Sequence, residues 1–159
     1  NGATNSEESR AGCNFGPDTS NLNKARRDIA YIPTQDTYGN ATVCCYRTVP
    51  MFSSGTYRGQ IRPDRPSGPG AAGTNATDNA ATRIRSDTTL APVFYVIGLG
   101  DPASSDPPDQ TLLAKIANDP TSPGYVKTQT TGMYVFAPNN GQLSQAFSRI
   151  ASEILRLSR

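Results

Sequence analysis

Apolar residues are gathered rather than spread along this chain, and only at Pro92 to Gly100, Pro-Val-Phe-Tyr-Val-Ile-Gly-Leu-Gly, do apolar and β-branched residues run on without interruption. Such a run predicts a strand buried on both faces, because a strand with one wet face alternates. Its shortness, its flanking Pro and Gly, and its Val, Ile and aromatic content favour a strand over a buried helical segment. Downstream, Asp109 is placed to cap a helix carrying Leu112, Leu113, Ile116 and Ala117, which Pro120 stops. Gly132 to Ala137 reads as a second short strand. Asn139 or Asn140 then caps a terminal helix whose Leu143, Phe147, Ile150, Ile154 and Leu157 recur at steps of four and three and share one face. Strand, helix, strand, helix predicts a parallel pair with crossover cover, hence an α/β layer architecture.

The first half has no comparable pattern. Residues 1–13 read as a segment following a missing strand, 14–74 as a loop-rich insertion dominated by Gly, Pro, Asn, Ser and Thr, and 75–159 as the ordered part. Within the insertion, a helical turn or two is expected over Asn21 to Ile29 and a turn at Tyr38-Gly39-Asn40. A strand is expected over Thr42 to Val49 with Tyr57 to Arg62 as its partner, and a linker-like loop over Arg62 to Gly73. Asp78 is expected to cap a helix through Ala80, Ala81 and Ile84. A loop region this long suits an insertion that serves an interface. Arg26, Arg27, Arg47, Arg58, Arg62 and Arg65 make it basic, and Tyr31, Tyr46, Phe52 and Tyr57 are anchors for a partner; a solvated loop held by a disulfide is the equal alternative.

The chain has three cysteines. Cys44 and Cys45 are neighbours whose side chains point to opposite faces of an extended segment, so one of them can pair with Cys13. A bridge from Cys13 to Cys44 or Cys45 in an oxidising compartment is the expectation, against three reduced thiols. With no histidine in the chain, zinc spacings are absent.

Composition narrows the classes. A chain of 159 residues suits one domain, and 35% hydrophobic content means that the core is built from a few apolar clusters. The net charge of +2 is too small to argue for nucleic acid. Residue 1 is Asn, which suggests a processed product or the observed part of something longer. No basic leader or membrane-length apolar run is present, so the chain as given is expected to be soluble, with a removed signal or anchor left open. Without histidine, a general base would have to be a carboxylate, and Asp101, Asp106 and Asp109 are the only cluster in a loop at a strand's carboxyl end. Pro102 and Pro107 favour turn-forming and capping roles for them instead. Gly98-Leu99-Gly100 lacks the third glycine and the following helix of a nucleotide-binding loop. Asn40-Ala-Thr and Asn75-Ala-Thr fit the glycosylation sequon.

The succession Tyr95-Val-Ile-Gly-Leu-Gly100, Leu112-Leu-Ala-Lys-Ile-Ala117, Gly132-Met-Tyr-Val135 and Leu143 to Arg159 resembles the C-terminal half of a von Willebrand factor type A domain. More closely, it resembles the TadG-like bacterial proteins associated with tight-adherence (Flp) pilus assembly, whose domain follows a membrane anchor and faces outward. Asn1-Gly2-Ala3-Thr4-Asn5 is similar to the Thr-Asp-Gly segment after that family's fourth strand. The resemblance covers most of the second half and hardly touches the loop region. It implies a partial, doubly wound, Rossmann-like sheet of order 3-2-1-4-5-6, of which this chain would carry strands five and six.

The family's divalent ion sits in an Asp-x-Ser-x-Ser loop, a later Thr and the Asp of Thr-Asp-Gly. The first two would lie upstream, and Asn1 stands in the aspartate position, so no metal or cofactor is expected on this chain alone. The resemblance further implies that the inner edge of the first strand, with Val93, Tyr95, Ile97 and Leu99 as candidates, pairs with another polypeptide: an N-terminal half, a second copy or another subunit. The function expected is a non-catalytic protein of the bacterial envelope, periplasmic or extracellular, acting by protein–protein contact as a pilus-associated, adhesion or complex-stabilising subunit. The alternatives are a metal-dependent ligand-binding module completed by an upstream or partner half, and a carboxylate-based enzyme.

Overall fold

The computed structural model describes residues 33–157, apart from Thr56, Pro63, Asp64 and Pro66. Expectations placed on 1–32, among them those for Asn1, Cys13, Arg26, Arg27, Tyr31 and the turn over Asn21 to Ile29, lie outside the described residues. The elements are α1 (Ser67–Arg85), β1 (Tyr95–Leu99), α2 (Gln110–Ala117), β2 (Met133–Ala137), a 3-10 turn (Asn140–Gln142) and α3 (Leu143–Leu157). The architecture is mixed α/β. The chain divides into two compact units, Asn1–Asn79 and Ala80–Arg159, the division falling within α1.

In the first unit, α1 starts inside the stretch expected to be a loop. Asp78, expected to cap a helix, lies buried within α1 instead. The reason is the make-up of the buried stripe. Ala71, Ala72, Asn75 and Asp78 are small or polar, so no large apolar residue announces the helix. Pro69 is tolerated in the first turn, where its missing N–H has no intrahelical acceptor to lose. A Cβ on Gly68 would stand 2.2 Å from the Arg62 carbonyl oxygen, so the chain approaches this turn as closely as glycine allows.

Asn75 organises what packs on α1. Its amide donates to the carbonyls of Thr42 (2.7 Å) and Arg47 (2.8 Å) and accepts from the Arg47 N–H (2.7 Å), taking the place of a ladder for that segment. The strand expected over Thr42 to Val49 is therefore absent. The Tyr57 to Arg62 segment pairs with Pro50 to Phe52 instead, through an isolated bridge of Met51 with Ile61. The turn at Tyr38-Gly39-Asn40 is present: Gly39 takes φ 82°, and the Asp36 carboxylate accepts from the Tyr38 and Asn40 N–H groups. Val49, Ile61, Ala71 and Ala72 close a small core.

In the second unit β1 and β2 form a parallel pair with Tyr95 opposite Met133 and Leu99 opposite Ala137. Alternation along the strands separates two faces. Tyr95, Ile97, Met133, Val135 and Ala137 pack with Leu143, Ala146 and Ile150 of α3. Gly98 turns the other way, toward Leu113 of α2 and the Tyr134 hydroxyl, which an added Cβ would meet at 3.0 and 2.6 Å. The sheet thus has a helix on each face, as a strand–helix–strand–helix order requires. The Asp109 cap is present, its carboxylate accepting from Leu112 N–H at 3.0 Å. Asn118, in the left-handed conformation at φ 54°, ends α2 two residues before Pro120. Asn139 caps the 3-10 turn that leads into α3.

Two expectations about burial change. The Pro92 to Gly100 run has both faces covered, yet Tyr95, Val96 and Ile97 are only half-buried and Leu99 is 46% exposed. A strand loses water from its edges as well as its faces, and among the described residues the outer edge of β1 has no neighbouring strand. On α3, Leu143, Ala146 and Ile150 meet the sheet while Phe147 and Ile154 stay 58% and 47% exposed, so the apolar face is wider than the sheet beneath it. The side chain of Leu157 lies outside the described residues.

Candidate interface at the open sheet edge

Ladder geometry identifies which groups are unpaired. In a parallel pair the residues of one strand alternate between bonding the neighbour with both N–H and C=O and facing away from it. Met133 N–H donates to the Phe94 carbonyl, and Gly100 N–H donates to the Ala137 carbonyl. With the observed register, Phe94, Val96, Gly98 and Gly100 bond β2, and the backbone groups of Tyr95, Ile97 and Leu99 face away. Among the described residues nothing bonds them. Val93, just before the strand, is 41% exposed.

On the outer edge of β2 one backbone group, the Tyr134 N–H, has a partner. There the Tyr134 N–H donates to Asp119 Oδ2 at 2.9 Å, while Asp119 Oδ1 accepts from the Thr121 N–H and hydroxyl at 2.9 and 2.7 Å. Burial pushes the Asp119 carboxyl up, but the bonds from Tyr134 and Thr121 and the charge of Arg149 outweigh it and hold the group below its ordinary range. Asp119 is presented by Asn118, whose fully buried amide donates to the Val126 and Thr130 carbonyls at 3.0 Å and accepts from the Val126 N–H at 2.8 Å. Arg85, also buried, donates to the Ile116 carbonyl at 2.7 Å and to Gln129 at 3.0 Å, bracing the same loop. Sequence reasoning missed this group. Its signal is Asn-Asp-Pro after a helix.

On α3, Phe147 and Ile154 are exposed and lie roughly 160° and 140° around the helix from Arg149, at about 100° per residue.

The other sequence candidates lie elsewhere. Cys44 and Cys45 are joined to each other, a pairing that the expected bridge to Cys13 does not include; Cys13 is outside the described residues. Asp101 accepts from the Ala103 N–H in a turn and Asp109 caps α2. In the first unit Arg47 lies beside the Tyr46 ring, Arg62 over Phe52, and Phe52 against Tyr57, so these cations and rings contact one another. Asn75 of the second sequon is 1% exposed with its amide engaged, which leaves it inaccessible in the folded unit, whereas Asn40 is exposed. Among the described residues no group of three His, Cys, Asp or Glu side chains comes together. Among them also, no helix is long and apolar enough to cross a membrane.

What the described residues define is a mixed α/β chain whose β1 edge is unpaired among them. No protein-family model, curated protein or solved structure matches it.

Proposed function

We propose that this chain is a non-catalytic contact protein of the bacterial cell envelope, built like the C-terminal half of a von Willebrand factor type A domain of the TadG-like, pilus-associated kind, and that it works by lending the β1 edge to a strand of another polypeptide. The supporting observation is that edge: Tyr95, Ile97 and Leu99 carry backbone donors and acceptors with no partner among the described residues. Open edges of this kind are covered or paired in working proteins. In the resembled sheet order, strand five has strand four beside it, where β1 is open. The parallel pair with a helix on each face is what that order requires of strands five and six.

The test is photo-crosslinking in the source cells. With benzoylphenylalanine in place of Leu99, which is half-exposed at the end of the edge, the expected product is an adduct with polypeptide in the envelope fraction. Absence of any adduct, or recovery of the chain from the cytosol, would contradict the reading.

A further inference from the structure

Cys44 and Cys45 are joined to each other, and we infer that this pair is a site of reversible thiol–disulfide exchange whose reductant is a dithiol. The inference goes beyond the contact reading and does not draw on the β1 edge. A disulfide that braces a fold does so by closing a loop, and its contribution grows with the length of chain enclosed. This one joins neighbours and encloses no residue between them, so it tethers nothing that the chain does not already tether. The segment that carries it is held by other means. Val49 N–H donates to the Val43 carbonyl at 3.3 Å, and the buried amide of Asn75 bonds the Thr42 carbonyl and both backbone groups of Arg47. The Thr42 hydroxyl donates to the Pro33 carbonyl, and Val43 packs on the core of Val49, Ile61, Ala71 and Ala72. No cysteine takes part in these bonds. Between the two anchored ends Cys44 and Cys45 are exposed, which attack by a thiolate requires.

One thiolate of the dithiol attacks a sulfur of the pair; a mixed disulfide forms, the Cys44–Cys45 bond breaks, and the other cysteine leaves as a thiolate that takes up a proton. The reductant's second thiolate then attacks its own sulfur in the mixed disulfide. This closes the reductant's disulfide and releases the second cysteine, which is protonated in turn. Two electrons and two protons pass to the pair, and exchange with an oxidised dithiol reverses the sequence. A monothiol stops at the first step. The cysteine it frees stays beside the mixed disulfide and returns to it before a second monothiol arrives, because intramolecular attack has the higher effective concentration. Since Asn75 and the Val43–Val49 bond hold the segment in either state, the change is confined to the two cysteines and the surface around them.

The test is peptide mapping of the folded full chain, isolated without reductant, with iodoacetamide added before or after a thiol. Trypsin cuts after Arg27 and Arg47 and leaves both cysteines in the single peptide 28–47, apart from Cys13. The expected result is that 28–47 takes up no alkyl group at first, two after dithiothreitol, and almost none after glutathione at the same thiol concentration. Alkylation before any thiol is added, or a link from 28–47 to the peptide with Cys13, overturns the pair as the site. Reduction that waits for urea overturns its accessibility, and a lasting glutathione adduct overturns the dithiol as reductant. A second measurement separates exchange from bracing. The variant with both Cys44→Ser and Cys45→Ser should keep the urea midpoint of the wild type, and a clearly lower midpoint would make the bond a brace and contradict the inference.

Discussion

At Gly132 the smallest side chain is a packing requirement. A Cβ there would stand 2.1 Å from the Phe94 carbonyl oxygen and 2.3 Å from that of Ala117, both backbone atoms, where β1, α2 and the start of β2 converge. Gly132→Ala is expected to destabilise the fold by about 1–3 kcal/mol or more, read as a lower urea midpoint, because backbone cannot move aside as a flexible side chain does. Tyr134 presents the opposite case. Its hydroxyl is buried without a hydrogen-bond partner, and burial pushes its pKa up. Tyr134→Phe removes an unmet polar group and should leave stability unchanged or raise it by up to about 1 kcal/mol. The sign of the pH dependence follows from linkage. A raised folded pKa gives stability that is fully present below the unfolded value of about 10 and is lost as pH rises through the folded value. The wild type should therefore weaken above about pH 10 more steeply than Tyr134→Phe in parallel urea titrations.

Elements show where the sequence was readable. β1, α2, β2 and α3 were legible because Leu112, Leu113, Ile116 and the Val-Ile-rich strands carry periods that large apolar residues make visible, with Asp109 and Asn139 as caps. α1 was not, because Ala71, Ala72, Asn75 and Asp78 make its buried stripe and Gly68, Pro69 and Gly70 imitate a linker. The segment before it was misread for a related reason: Asn75 bonds the backbone that a ladder would otherwise bond. The open β1 edge follows from strand order and register, whereas the bond from the Tyr134 N–H to Asp119 depends on a loop fold that no periodicity announces.

Asp119→Ala tests that bond. It leaves the Tyr134 N–H and the Thr121 turn without their acceptor and should cost about 1–3 kcal/mol at neutral pH. A lowered folded pKa gives stability that is present above the unfolded value of about 3.9 and is lost as pH falls through the folded one. The gap between wild type and variant should accordingly narrow below about pH 4. A gap independent of pH would show that the carboxylate charge takes no part in holding the loop.

For the whole molecule, the described residues place a small core in each unit and, in the second, leave the β1 edge with unmet backbone groups and Phe147 and Ile154 of α3 exposed. That unpaired β1 edge is the basis of the proposed contact function. Amide hydrogen exchange on the native material tests it most directly, because the strand contains its own control. Val96 and Gly98 bond β2 and should be protected whatever covers the edge. If the edge is occupied, the Tyr95, Ile97 and Leu99 amides exchange as slowly as Val96 and Gly98. Protection that alternates along the strand, slow at Val96 and Gly98 and fast at Tyr95, Ile97 and Leu99, would mean that water alone meets the edge and would contradict the account.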